Sequence, residues 1–301
     1  MTLVLVAANR EFVVQVSDRR LTSLGGVYTE EETKAIYLET PIQQMLLGYT
    51  GIARIGRKSM NEVLLDLLHD RVLPKSGLDP SETIHELARS LSAYLRSGPG
   101  KAYLPADKRL TVMVTGFLNS PEGWFGPVQA LITNYQEWLV EDMPEAWDDF
   151  RVEFAECPPE VPPEDANLVQ LIGRWGSVND SDVDAIRKLL APGKPPGAAR
   201  DKMATLIAQK AAVDPAIGAQ MNSAILRPGS PPIAAYHSAV NSEFVPLLDM
   251  VSLAPDGSVM AVRGGEIRSV DGHAMVVANS HRSAPCPCKS GKTYGNCHGR
   301  R

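Results

Sequence analysis

Cysteine is almost absent from the first 285 residues of this 301-residue chain, where Cys157 stands alone. A disulfide-stapled body is thereby excluded. Cys157 lies in a proline-rich stretch with no activating base near it in sequence, which leaves it structural or incidental. Long apolar runs are missing too, since none approaches the ~20 residues that span a bilayer. The apolar opening, 3–8, is short and lacks the basic flank of a signal peptide, so the expected product keeps it and is cytoplasmic. Basic charge is not in excess. A formal net charge of -5 gives no general reason to expect nucleic acid as a partner, and no direct DNA binding is expected. What remains is a globular composition, 44% hydrophobic and 22% charged, long enough for one large domain or two ordinary ones.

Segments 3–8 and 12–17 are β-rich runs around Asn9-Arg10-Glu11, a hairpin pattern. Residues 22–33 turn at Gly25-Gly26, and 34–38 and 45–49 read as strands. From Ala53 the period changes: Ile55, Met60, Val63, Leu64, Leu67 and Leu68 recur at helical spacing as far as about His69. Asp79-Pro80 supplies a cap and first-turn proline for a helix ending near Gly98. Strands are expected at 110–118, 128–133 and 137–141, and the acidic, proline-studded stretch 142–165 reads as an exposed insertion. A short apolar run, 168–172, precedes a helix capped by Ser181 with Asp184 and ending at Leu190, and a second helix covers 198–212. Residues 220–226 read as a strand and Pro255-Asp256-Gly257 as a hairpin tip. Strands, two helices, strands, two helices, strands: this order suits an α+β protein with two sheets face to face and helices outside each, a four-layer αββα sandwich.

The first hairpin carries a geometric consequence. Its two arms are of equal length, so Asp18 returns to the end of the sheet where Thr2 starts, and the second hairpin brings Lys34 to the same end. A hydroxyl, a carboxylate and an amine then converge. Threonine is a weak nucleophile until a base takes its proton, and a free α-amine, with a pKa of roughly 8, is one such base. Thr2 acquires that amine once Met1 is trimmed. Lys34 either lowers the amine's pKa or serves as the base itself, and Asp18 pairs with Lys34.

Met1-Thr2, Ser17-Asp18-Arg19-Arg20-Leu21-Thr22, Lys34 and Gly48-Tyr49-Thr50-Gly51 together resemble the proteasome β-subunit family of N-terminal-nucleophile hydrolases. The resemblance covers about 2–226. It implies Thr2 as nucleophile, Asp18 as orienting acid, Lys34 as the active-site lysine and Gly48 N–H as oxyanion donor. It also implies a supporting Ser177, from Gly173-Arg174-Trp175-Gly176-Ser177, and a supporting Asp214, from Asp214-Pro215-Ala216-Ile217-Gly218. Arg20 and Thr22 fall where the family has an arginine and a substrate-contacting threonine. Ile217 departs from the pattern, standing where many members have serine. The segment 142–165 and the chain after Leu226 have no obvious counterpart. Family members form rings, so a homo-oligomer is an expectation.

Gly51-Ile52-Ala53-Arg54-Ile55-Gly56-Arg57-Lys58-Ser59 is a near miss for a phosphate-binding loop. Lysine belongs directly after the second glycine, and a shift of one residue turns a helical side chain by ~100°. The segment reads as a tight turn into a helix.

The tail is different in kind. Cys286, Cys288, Cys297 and His298 offer three thiolates and an imidazole, a closed tetrahedral shell for structural zinc. About twenty residues bury no core of their own, so metal would supply the fold. The string closely resembles the SEC-C motif, known from the tail of the SecA translocase, which implies docking to a protein partner or a ribosome. The expected organisation is a hydrolase domain at 2–268, a linker at 269–285 and the zinc module at 286–301. The expected activity is hydrolysis of an amide in a peptide or protein substrate. A catalytically silent scaffold or adaptor, and a small-molecule amidase on the same fold, are the alternatives.

Overall fold

The computed structural model describes residues 2–23, 26–29, 32–77, 79–136, 145–156, 166–237, 248–270 and 273–277. The chain opens with β1 (Leu3–Ala8) and β2 (Val13–Asp18), paired antiparallel from Val4↔Ser17 to Ala8↔Val13. Asn9 builds the turn: its side-chain oxygen accepts the N–H groups of Glu11 and Phe12, both at 2.9 Å. A small antiparallel pair follows, β3 (Leu21–Ser23) and β4 (Gly26–Thr29), then the hairpin of β5 (Ala35–Thr40) and β6 (Gln43–Gly51).

The stretch read as a tight turn into a helix is a turn with short paired arms, β7 (Arg54–Ile55) and β8 (Lys58–Ser59), with Gly56 in the left-handed region at its tip and a helix directly after it. Its backbone is committed to strand pairing and does not form a phosphate cradle. Ser59 and Glu62 then make a capping box for α1 (Met60–Leu67). The helix passes through one π-turn, Leu68–Val72, into α2 (Leu73–Ser76), beyond the end expected near His69. Asp79 caps α3 (Pro80–Arg96) as its sequence implied.

Next come β9 (Leu110–Ser120), β10 (Gly123–Thr133) and β11 (Arg151–Glu156). The last places a strand inside 142–165, the stretch read as an exposed insertion. Val152 and Phe154 alternate with charged residues, and the segment pairs with β10 from Val128↔Glu156 to Thr133↔Arg151. The strand expected at 137–141 lies outside the described residues. After β12 (Leu168–Gly173), α4 (Asp180–Arg187) is capped by Asn179 with Asp182, two residues before the expected Ser181, because the Asn179 side-chain Oδ1 accepts the Asp182 N–H at 2.9 Å. The remainder is α5 (Pro196–Ala211), β13 (Met221–Arg227), β14 (Ser230–His237), β15 (Leu248–Leu253), β16 (Val259–Val270) and β17 (His273–Val277). The β16–β17 pairing carries sheet structure to Val277, into the stretch read as a linker from 269.

Two large sheets result, a five-stranded one ordered β12-β1-β2-β13-β14 and an eight-stranded one ordered β11-β10-β9-β6-β5-β15-β16-β17. Val4, Val6, Tyr37, Leu46, Met113, Phe117 and Leu226 fill the space between them. The alternate residues of the same strands face outward. Leu3, Leu5, Val14 and Val16 pack on Ile186 of α4 and Met203 and Ile207 of α5, while Leu38, Leu47 and Tyr49 pack on Leu64 of α1 and Leu91 of α3. β1 reads as an unbroken apolar run because both its faces are buried. The protein is thus mixed α+β and mostly sheet, with helices covering both outer faces. Arg263 of β16 also clamps α1, donating to Glu62 at 2.7 Å and Asp66 at 2.8 Å. No helix among the described residues is long and apolar enough to cross a membrane.

Leu91 sits at the middle of α3 with none of its surface exposed. Leu91→Ala should lower stability by roughly 2–5 kcal/mol, the range for emptying a buried leucine site. Urea unfolding would show this as a lower midpoint at unchanged slope.

Candidate functional site

The β1–β2 register brings the start of one strand to the end of the other. Leu3 N–H donates to Asp18 Oδ2 at 2.7 Å, and Arg20 N–H donates to Asp18 Oδ1 at 2.9 Å. Lys34, just before β5, reaches the same carboxylate, with Nζ 3.2 Å from Oδ1. Its ammonium also donates to Arg20 O at 2.5 Å and to Thr2 Oγ1. Thr2 Oγ1 itself lies 3.4 Å from Arg20 O. All three side chains are removed from water: Thr2 is 4% exposed, Asp18 0% and Lys34 1%. Burial pushes the Lys34 ammonium below the ordinary lysine range, and the Asp18 carboxylate acts against that fall.

The second sheet closes the site from the other side. Ala35 pairs with Gly48, so Gly48 stands abreast of the residue after Lys34. Its missing side chain has a packing reason: a Cβ there would lie 2.9 Å from Gln15 Nε2 and 3.0 Å from Val4 Cγ1. Residues 48 and 50 share a face of β6, so Thr50 also points between the sheets. Thr50 Oγ1 donates to Thr2 O at 3.2 Å and accepts Thr2 N–H at 3.4 Å.

A corner after β12 grips the same peptide. Arg174 N–H donates to Thr2 O at 3.0 Å. Gly173 turns with φ of 88°, and a Cβ on it would sit 1.8 Å from Thr2 O and 2.6 Å from Thr50 Oγ1. Arg174 Nε donates to Asp214 Oδ2 at 3.1 Å, and Ala216 N–H donates to Asp214 Oδ1 at 2.9 Å. Burial acts upward on the Asp214 carboxyl, but these two partners outweigh it and hold the group below the usual range. Arg20 Nη1 donates to Pro215 O at 2.6 Å, tying the 214–218 loop to the residue whose carbonyl Lys34 holds. Ile217 is buried among the residues facing α5 and brings no hydroxyl to the site.

The structure therefore brings Lys34 into contact with both Thr2 and Asp18, with Gly48 in register beside it. Asp214 is linked to Thr2 through Arg174, whose side chain it holds and whose N–H bonds Thr2 O. Ser177 ends a 3-10 turn, Trp175–Ser177, and its side chain lies outside the described ones. Sequence reasoning missed the Arg20 carbonyl, Thr50 and the Gly173–Arg174 corner as contacts of Thr2. Thr50 had a signal, since it shares a strand face with Gly48. Cys286, Cys288, Cys297 and His298 lie outside the described residues. Among the described residues, no cluster of three or more His, Cys, Asp or Glu side chains offers a metal site.

A family model described as SEC-C motif matches residues 282–300, which include those four candidate ligands. A search of the curated proteins finds no match to the chain. Among solved structures, the chain is similar to the helical assembly of the Anbu complex from Pseudomonas aeruginosa, with a TM-score of 0.51 at 12% identity over 79% of this chain and 88% of that one. It is also similar to Anbu (ancestral beta-subunit) from Yersinia bercovieri, at a TM-score of 0.49 and 12% identity, over 75% and 82% of the two chains. The first likeness is one of fold: the layered architecture is that of Anbu, a proteasome-like fold.

Gly173→Ala tests the corner that holds Thr2. A left-handed backbone costs an alanine ~1–2 kcal/mol and the clash with Thr2 O adds an overpacking cost of similar size, so stability should fall by roughly 2–4 kcal/mol. Thermal and urea unfolding of the purified variant measure it. A wild-type midpoint would contradict the contact.

Proposed function

We propose that the chain is a threonine-type amide and peptide hydrolase of the N-terminal-nucleophile kind, acting after loss of Met1. One observation carries this reading: the Lys34 amine sits on the Thr2 hydroxyl inside a buried cluster anchored by Asp18. A lysine whose charge is disfavoured by burial is a stronger candidate base near neutral pH than an exposed one. In its neutral form Lys34 Nζ takes the proton from Thr2 Oγ1 as the oxygen attacks the substrate carbonyl. The carbonyl π electrons move to its oxygen, where Gly48 N–H is the proposed donor. Collapse of the adduct breaks the C–N bond, the leaving amine takes a proton, and an ester to Thr2 remains. Water, deprotonated by the freed α-amine of Thr2, then releases the acid and restores the hydroxyl. Ser177 and Asp214 are supporting residues in this proposal, Asp214 acting through Arg174.

The second reading, a silent scaffold on the same fold, draws on Asp214, whose carboxylate is engaged by Arg174 and Ala216 rather than by Thr2. An electrophile such as an epoxyketone separates the two. The hydrolase should lack Met1 by intact mass and take up one adduct on Thr2, whereas the scaffold takes up none. Thr2→Ala and Lys34→Ala should each abolish turnover, with the double variant little worse than either, since the two act as a unit. The rate should rise with pH as Lys34 loses its proton, and that limb should fall below the range of an exposed lysine because the folded pKa is lowered. Peptide and small-amide panels distinguish a peptidase from a small-molecule amidase.

The tail enters the proposal as a separate module in a cytoplasmic protein that assembles with its own copies. The SEC-C match and the donor set of Cys286, Cys288, Cys297 and His298 fit one structural zinc, which would supply folding energy to the tail and no chemistry to Thr2. A protein partner or a ribosome is the proposed docking target. Freshly purified protein should contain one zinc per chain. Mild chelation or Cys288→Ser should disorder the tail and abolish docking while small-substrate hydrolysis continues, and loss of that hydrolysis would give the metal a different role.

A further inference from the structure

Thr50 is 1% exposed, and a buried hydroxyl is costly unless both its proton and its lone pairs find partners. Here both partners belong to one residue. The Thr50 proton goes to Thr2 O at 3.2 Å, and a lone pair faces Thr2 N at 3.4 Å. Space for this bridge is kept open deliberately by the fold: a side chain on Gly173 would strike Thr2 O and Thr50 Oγ1 together. Arg174 N–H also donates to the Thr2 carbonyl at 3.0 Å, so the Thr2 backbone is held by both β6 and the corner after β12. In the unprocessed chain Thr2 N is a peptide nitrogen. Removing Met1 leaves the same nitrogen as a primary amine facing the same oxygen.

We infer that Thr50 is a positioning residue that anchors the α-amine of processed Thr2, a role that rests on the hydrolase reading above. With one N–H directed at Thr50 Oγ1, the amine's lone pair is turned away from β6 and held in a fixed relation to its own hydroxyl. An acceptor at this place also favours the ammonium, and so raises the amine's pKa against the charges around it. Those charges are Lys34 on Thr2 Oγ1 with Asp18 behind it, Arg20 with its carbonyl on Lys34, and Arg174 with Asp214 at the corner after β12.

The test uses the full-length chain with Met1 removed, as wild type, Thr50→Val, Thr50→Ala and Thr50→Ser. Valine keeps the shape and removes the hydroxyl, and alanine gives a second hydroxyl-free variant if valine does not fold. The readouts are kcat and KM on a small amide and the 15N titration of the Thr2 amine. Thr50→Val and Thr50→Ala should lower kcat about tenfold, the scale of one neutral hydrogen bond, at nearly unchanged KM. The amine should titrate at lower pH in both, and Thr50→Ser should restore both values. Wild-type kcat and titration in the hydroxyl-free variants would overturn the role, as would equal losses in Thr50→Ser. A wild-type chain that neither turns over nor takes up an electrophile would sink the hydrolase reading alone, because the shift in amine titration still decides the anchor. Retention of Met1 on the folded chain would overturn both.

Discussion

The buried carboxylate of Asp18 is the constraint on which the rest of the site depends. It accepts Leu3 N–H, Arg20 N–H and Lys34 Nζ at once, at 2.7, 2.9 and 3.2 Å. Those three groups come from the start of β1, the exit of β2 and the entry of β5, so one side chain fixes three backbone segments. Its charge also explains how an ammonium with 1% exposure is tolerated. Removing one partner of such a buried pair typically costs 3–5 kcal/mol, because the other is left as an uncompensated charge. Lys34 is therefore held in place by the same group that opposes its loss of charge, and the Thr2 hydroxyl inherits its position from both.

The second constraint is steric. Gly48 and Gly173 both stand near Thr2, and each lacks a side chain for which there is no room. Gly173 lets the corner after β12 come within hydrogen-bonding distance of the Thr2 carbonyl, and Gly48 lets β6 lie over Val4 and Gln15. Close packing between the sheets thus does chemical work, since it adds the Thr50 hydroxyl of one sheet to the Arg174 amide of the other as a second donor to the Thr2 carbonyl. The helical layers contribute rigidity. α1 and α3 seal the outer face of the eight-stranded sheet, α4 and α5 that of the five-stranded sheet, and Arg263 ties β16 to α1.

The chain by itself determined a good deal, for local reasons. Two short arms of equal length around Asn9 put Asp18 beside Thr2, because strand geometry converts residue count into distance. Asp79-Pro80 and the 254–258 turn announced their elements through capping and turn chemistry, and the two-faced apolar runs announced layers. The cysteine and histidine spacing of 286–298, inside the SEC-C match, is a local signal of the same kind. Tertiary structure decided the rest. β11 was hidden because its alternation is brief and flanked by prolines, and only pairing with β10 makes it a strand. The 54–59 hairpin and the Asn179 cap turned on backbone geometry that composition leaves open. Thr50 became a contact of Thr2 only when two sheets closed face to face, and Arg174 and the Arg20 carbonyl only when β12 and β2 paired on either side of β1. Their roles depend on distances between segments far apart in the chain, and no spacing in a linear sequence encodes such a distance.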